Sequence, residues 1–188
     1  QSFGSPALWD VVGRYCEEQH IQLPSLKRIL SAGAPVPSRV LEQMSAAMLP
    51  EGEMFTPYGA TEALPVASIS ASEVLQETAA LTQQGYGTCV GKQFSGIQWQ
   101  VIEIDDGAIT AIDEAKPVET GTIGELIVQG PVVTSHYVTH AEETRMHKIS
   151  DGEKFWHRMG DVGYLDSENR FWFCGRKTHR VQLADKTL

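Results

Sequence analysis

Four short stretches carry residue types that could do chemistry. Tyr58-Gly59-Ala60-Thr61-Glu62 joins a flat ring, two small residues, a hydroxyl and a carboxylate. Such a run can stack a base on the ring, offer Thr61 to a phosphate and hold Mg²⁺ on the hard oxygens of Glu62. Ser31-Ala32-Gly33-Ala34-Pro35-Val36-Pro37 is built of small residues, which let a flat ligand approach the backbone closely. In His157-Arg158-Met159-Gly160-Asp161-Val162-Gly163-Tyr164-Leu165-Asp166, an aspartate beside a glycine can take both hydroxyls of a ribose. Gly175-Arg176-Lys177-Thr178-His179-Arg180-Val181 concentrates basic residues, and Arg176 can fork onto a phosphate or ribose oxygen. Each also has a plain reading: a tight turn with one surface acid, a strand-to-helix loop, a polar hairpin turn and a solvated basic turn. Short matches are cheap, so none decides anything alone.

These stretches need elements to position them. Pro6 opens a helix to about His20, with Ala7, Leu8, Val11, Val12 and Tyr15 as its apolar face. Leu26–Leu30 reads as a short strand running into the 31–35 loop. Ser38 is expected to cap a second helix with Val40, Leu41, Met44, Ala47 and Met48 on its apolar face. Pro50-Glu51-Gly52 ends it, Met54–Tyr58 is a strand, and Gly59–Glu62 is the loop after it. Strand, helix, strand with small-residue loops is an α/β pattern, and such sheets bind ligands at the carboxyl ends of their strands. Near Gly85 the pattern changes to short β-rich runs at 98–104, 109–112, 124–128 and 171–174. Turns such as Asp105-Asp106-Gly107 and Asp151-Gly152 separate them. The expected fold is therefore α/β plus β: part of a layered α/β subdomain over 1–90, then a small antiparallel, barrel-like subdomain over 91–188.

Composition narrows the class. The chain has 188 residues, 41% of them hydrophobic and 21% charged, as in a globular protein. A formal charge of −9 gives it no general attraction for nucleic acid or anionic lipid. Cys16, Cys89 and Cys174 are odd in number and lack close pairing, which fits idle thiols in a reducing cytoplasm better than zinc or a disulfide framework. No apolar run reaches a membrane span and no signal peptide is visible. The chain opens on Gln1 and closes on Asp185-Lys186-Thr187-Leu188, which reads as a piece of a longer polypeptide. His136 and His140 stand four apart, but Val132-Val133 and Tyr137-Val138 suggest extended chain, so a metal site is not expected there. Glu142, Glu143, Arg145 and Lys148 read as a solvated helix face. The four tryptophans read as core and interface anchors.

Taken together and in this order, the four stretches resemble the adenylate-forming superfamily of acyl-CoA synthetases, luciferases and non-ribosomal peptide synthetase adenylation domains. YGATE resembles its YGxTE motif, GAP its adenine loop, RMGD its TGD motif and GRKTHRV its hinge region. Gly121–Pro131 resembles its GEL-containing strand. The resemblance covers nearly the whole chain. It implies an ATP-dependent, Mg²⁺-dependent ligase that activates a small-molecule carboxylic acid, a fatty or β-hydroxy fatty acid, as an acyl-adenylate with release of pyrophosphate. It assigns Gly33, Ala34 and Pro35 to the adenine pocket and Tyr58 to stacking. Thr61 would contact phosphate and Glu62 would bind Mg²⁺, the two having the catalytic roles. Asp161 would hold the ribose and Arg176 the ribose or phosphate, while Gly59, Ala60 and the residues following Glu62 would border the acyl pocket.

Three positions depart from the family pattern. Met159 replaces a threonine, His179 stands at the hinge aspartate, and Gln182 replaces a lysine. His179 puts ordinary thioester formation in doubt. The runs HRMGDVGYLD and FWFCGRKTHRV look most like the ligase branch of bacterial long-chain olefin biosynthesis. There the β-hydroxyl of an adenylated β-hydroxy fatty acid displaces AMP to form a β-lactone. The resemblance also implies a phosphate loop before residue 1 and a catalytic lysine after residue 188, so the chain by itself is expected to turn over little. The rival reading is a non-catalytic nucleotide-binding or interaction module of the same ancestry.

Overall fold

A computed structural model describes residues 1–181; Gln182 and residues 185–188, noted above, lie outside the described residues. The chain divides into two compact units, Gln1–Tyr58 with Ala67–Gly91, and Gly59–Val66 with the chain from Lys92 onward. The first unit is layered α/β and the second is built around an antiparallel sheet, the architecture expected from the sequence.

In the first unit, strand β1 (Ser2–Gly4) leads into helix α1 (Pro6–Glu18), β2 (Arg28–Ser31), helix α2 (Ser38–Ala47), β3 (Glu53–Ala60) as far as Tyr58, and β4 (Ala63–Ser70) from Ala67. β1, β2 and β3 run parallel, with Leu30 opposite both Phe3 and Phe55. α2 is the crossover between β2 and β3. Trp9, Ile29, Val40, Leu41, Met44, Met48, Met54 and Ala71 form the core of this unit. The apolar face expected of α2 is the one that is buried. The helix begins differently, however: Pro37 is its N-cap residue, Ser38 is already helical, and no side chain caps it. Pro37 supplies the fixed φ instead of a hydroxyl acceptor.

The face expected of α1 is corrected. Trp9, Gly13 and Cys16 are buried, whereas Leu8, Val11 and Tyr15 are 49%, 57% and 58% exposed. α1 carries two apolar stripes, and periodicity alone does not choose between them. Gly13 decides the matter: a methyl there would lie 2.9 Å from Gln43 Cβ on α2, so the helices close on the glycine side. Ser5 caps α1 by accepting from the Leu8 amide, and Pro6 occupies the first turn as expected.

Two elements here were not foreseen. β4 contains Pro65, which removes a donor and disguises a strand. After it the chain coils as α3 (Ala71–Glu73), a π-helical turn (Val74–Thr78) and α4 (Ala79–Gln83), opened by a Ser70–Glu73 capping box. β5 (Thr88–Cys89) ends the unit.

The second unit holds β6 (Lys92–Gln93), β7 (Gln98–Ile102), β8 (Gly124–Gln129), α5 (Ala141–His147), β9 (Lys148–Asp151), β10 (Lys154–Leu165) and β11 (Phe171–Arg176). β10 lies between β8 and β11, its pairings with β8, β9 and β11 and that of β7 with β8 are antiparallel, and β7 and β9 extend the sheet. Ile102, Ile109, Ala115, Ile127, Ile149 and Trp156 form its core cluster. The strand expected at 109–112 is instead a single bridge at Ala111 followed by a 3₁₀ turn. All four tryptophans are less than 10% exposed. Cys16 and Cys89 are buried and Cys174 is exposed, with no disulfide among the described residues. No helix among the described residues is long and apolar enough to cross a membrane.

Candidate functional site

In the first unit, register places the 31–35 loop and the end of β3 together. The loop follows the carboxyl end of β2 and Tyr58 lies near the carboxyl end of the neighbouring parallel β3, so Gly33-Ala34-Pro35 and Tyr58 belong to one end of that sheet. Gly33 has φ +95°, a conformation that favours glycine, and nothing among the described residues lies within 4 Å of where its side chain would be. Ser31 is 1% exposed and its hydroxyl has no partner among the described residues. A buried hydroxyl without a partner is unfavourable and calls for one. Bare backbone and an unsatisfied hydroxyl at a strand end fit a polar, flat ligand such as a nucleotide base.

Gly59, Ala60, Thr61 and Glu62 were expected in a loop. β3 instead runs through Ala60, and Thr61-Glu62 is the tight turn of a hairpin into β4. Gly59 has a structural cause: a methyl there would meet the Ala63 carbonyl at 2.4 Å. Thr61 is exposed at the turn and Glu62 is half-buried. The Tyr137 hydroxyl donates to Glu62 Oε1 at 2.7 Å, and the Thr134 amide donates to the Glu62 carbonyl at 2.9 Å. Burial pushes the Glu62 carboxyl up, but the Tyr137 bond, its backbone bond and the charges of His157 and Lys148 outweigh this. The group is held below the usual carboxylate range. A hard carboxylate kept ionised suits Mg²⁺.

Around it lies a cluster that the sequence did not disclose. Lys148 is not on the solvated helix face expected for it. It starts β9 and is 7% exposed, with its ammonium donating to Thr134 Oγ1 at 3.2 Å and lying 5.7 Å from the centre of the Tyr137 ring. Burial pulls its amine down to about 8, against the pull of Glu62. The Tyr137 hydroxyl is pushed up by burial and by Glu62. His157 is 3% exposed, and its Nδ1 lies 3.2 Å from the His147 carbonyl. A carbonyl only accepts, so Nδ1 carries the proton. Burial and then Lys148 press the ring down to about 4, so it is neutral at pH 7.

The 157–166 stretch is not a turn. It is most of β10, and a bulge between Arg158 and Val162 accommodates Gly160 at φ +65°. Asp161 stands opposite Arg176 on β11, and the two form an ion pair at 2.6 Å with Asp161 6% and Arg176 50% exposed at the side chain. The two residues expected to share a ribose are thus brought together.

The basic turn is not simply solvated. Lys177 reaches buried Glu125 at 3.0 Å, and Arg180 pairs with Asp106. Glu125 also receives Arg158, whose guanidinium donates besides to the carbonyls of Asp105, Gly107 and Met146. His179 is exposed in the 3₁₀ turn Lys177–His179. Tyr137 lies 75 residues from Glu62, and no local pattern signals such a contact. Among the described residues no cluster of three or more metal-ligating side chains occurs.

The family model described as "AMP-binding enzyme" matches residues 2–138. The olefin β-lactone synthetase of Xanthomonas campestris pv. campestris is 45% identical over the whole chain, which covers 34% of that protein. The olefin β-lactone synthetase of Stenotrophomonas maltophilia is 42% identical over 98% of the chain, which covers 33% of it. The chain thus spans about a third of the length of these curated relatives. Among solved structures, O-succinylbenzoate coenzyme A synthetase of Bacillus subtilis, in complex with ATP and magnesium ion, superposes with a TM-score of 0.74. It is 19% identical, over 99% of this chain and 33% of that one, a likeness of fold.

Proposed function

The chain belongs to the AMP-binding enzyme family, and from that premise we propose that it supplies the nucleotide side of a site that activates a carboxylic acid with ATP. The observation that carries this reading is the edge formed by β2 and β3. There the unpartnered Ser31 hydroxyl ends β2, the bare Gly33 backbone follows it, and Tyr58 lies near the carboxyl end of the adjacent parallel β3. Gly33, Ala34 and Pro35 line the adenine, and Tyr58 stacks on it. Gly59 and Ala60 border the acid. Thr61 donates to phosphate, and Glu62 holds Mg²⁺. Asp161 takes the ribose hydroxyls with Arg176 beside it, and His179 marks the hinge. Mg²⁺, when bound, neutralises phosphate charge as the acid attacks. The functional division of the chain falls near residue 90.

In the proposed reaction the acid's carboxylate attacks the α-phosphorus of ATP, the bond to the bridging oxygen breaks, and pyrophosphate leaves. The two olefin β-lactone synthetases support a β-hydroxy fatty acid as the substrate. Its hydroxyl oxygen then attacks the activated carbonyl, loses its proton and expels AMP, closing a β-lactone. The triphosphate loop and the catalytic lysine come, in this reading, from the rest of a longer polypeptide, in the cytoplasm.

The test is ATP–pyrophosphate exchange by the full-length gene product with a β-hydroxy fatty acid, with lactone detected by mass spectrometry. Acid-dependent exchange that Asp161→Ala lowers at least tenfold supports the reading. A folded protein that binds AMP but shows no exchange with any acid favours a non-catalytic nucleotide-binding module.

A further inference from the structure

The 130–140 loop is tied to the Glu62 turn by three contacts. The Thr134 amide bonds the Glu62 carbonyl, Val133 bridges Ala63, and the Tyr137 hydroxyl holds Glu62 Oε1 at 2.7 Å. Tyr137 turns inward from a stretch where Ser135 and His136 are exposed and Val138 is 90% exposed. Its ring is backed by the Lys148 ammonium and, at 6.5 Å, by the His147 ring. A half-buried hydroxyl thus reaches one carboxylate oxygen through a charge-assisted bond, the strong and directional kind.

We propose that Tyr137 is the positioning residue for Glu62: by holding Oε1 it fixes the carboxylate plane and presents Oε2 to a divalent cation bound with the nucleotide. The inference rests on the reading of Glu62 as the cation-binding residue. A carboxylate free to rotate must be ordered when the cation arrives, whereas one already clamped is not. Lys148 keeps the Tyr137 ring in place and lies outside the proposed coordination.

The test measures Mn²⁺ affinity by electron paramagnetic resonance on the full-length gene product with α,β-methylene-ATP. AMP affinity without metal and the melting temperature are measured beside it. Tyr137→Phe keeps the ring against Lys148 and removes only the hydroxyl. It is expected to weaken Mn²⁺ binding about tenfold, the scale of one lost charge-assisted bond, with AMP affinity unchanged. Replacement of Tyr137 by 3-fluorotyrosine, which keeps the donor, is expected to retain Mn²⁺ affinity, and it carries the test alone if Tyr137→Phe does not fold. Glu62→Gln separates the two claims. If it weakens Mn²⁺ binding and Tyr137→Phe does not, the positioning role is wrong and the reading of Glu62 stands. If Glu62→Gln has no effect, both fall. A Tyr137→Phe protein that loses AMP and Mn²⁺ affinity alike marks a merely structural tyrosine and overturns the proposal, as does a folded 3-fluorotyrosine protein that loses Mn²⁺ affinity.

Discussion

Arg158→Met is the perturbation that most severely tests the account of the second unit. Arg158 and Glu125 have fully buried side chains, joined at 2.6 Å, and the guanidinium also serves the carbonyls of Asp105, Gly107 and Met146. Methionine fills much of the same space and can satisfy none of these acceptors. Removing one partner of a buried ion pair costs about 3–5 kcal/mol. Lys177 stays within 3.0 Å of Glu125, which places the expected loss near the lower end. At about 2–4 °C per kcal/mol for a chain of this size, the melting temperature falls by roughly 10 °C. Urea unfolding followed by tryptophan fluorescence is the assay, because Trp99, Trp156 and Trp172 all lie in this unit. Glu125→Leu combined with Arg158→Met removes both charges and is expected to be at least about 1 kcal/mol more stable than Arg158→Met alone. A loss below about 1 kcal/mol for the single variant, or strict additivity in the double, would mean that the buried Arg158–Glu125 pair is not coupled.

Three further outcomes are expected. His157 has its ring lowered from 6.5 to about 4, so the unfolded chain binds the proton more readily between those values. Stability from this group is full above pH 6.5 and falls as pH drops towards 4, by about 3 kcal/mol. Denaturation midpoints across that window should flatten in His157→Gln, and an unchanged slope would count against the buried neutral ring. Gly163→Ala would put a methyl 2.0 Å from the Trp172 carbonyl, so it should disrupt the β10–β11 pairing and destabilise by about 1–3 kcal/mol or more. A wild-type melting curve would contradict the register that aligns Asp161 with Arg176. Gly33→Ala has open space but the wrong backbone, so it should lower stability by only about 1 kcal/mol while weakening AMP binding. Unchanged AMP affinity on calorimetry would remove Gly33 from the site.

What was legible in the sequence was local. The strand–helix–strand order, the buried face of α2 and the change to short β-strands follow from spacing and turn residues within a few positions. The unforeseen parts depend on distant partners. β10 was hidden because His157, Arg158 and Asp161 interrupt any apolar alternation, yet all three are buried. Arg158 and Asp161 are tolerated there because Glu125 and Arg176 neutralise them from neighbouring strands. Lys148 looked like the end of a polar helix face because it follows Arg145 by three residues; the chain leaves the helix at that point and carries the ammonium inward. The candidate site divides the same way. Its motif residues stand out as sequence, whereas the Tyr137 clamp on Glu62 exists only once the chain has folded.

Calorimetric titration of the full-length gene product with AMP, beside Asp161→Ala, tests whether the chain carries the nucleotide side of the site. Saturable binding that the substitution weakens by tenfold or more, about 1.4 kcal/mol, is the predicted result. A folded protein that binds no AMP, or binds it equally well without the Asp161 carboxylate, would rule out a nucleotide site built on Asp161.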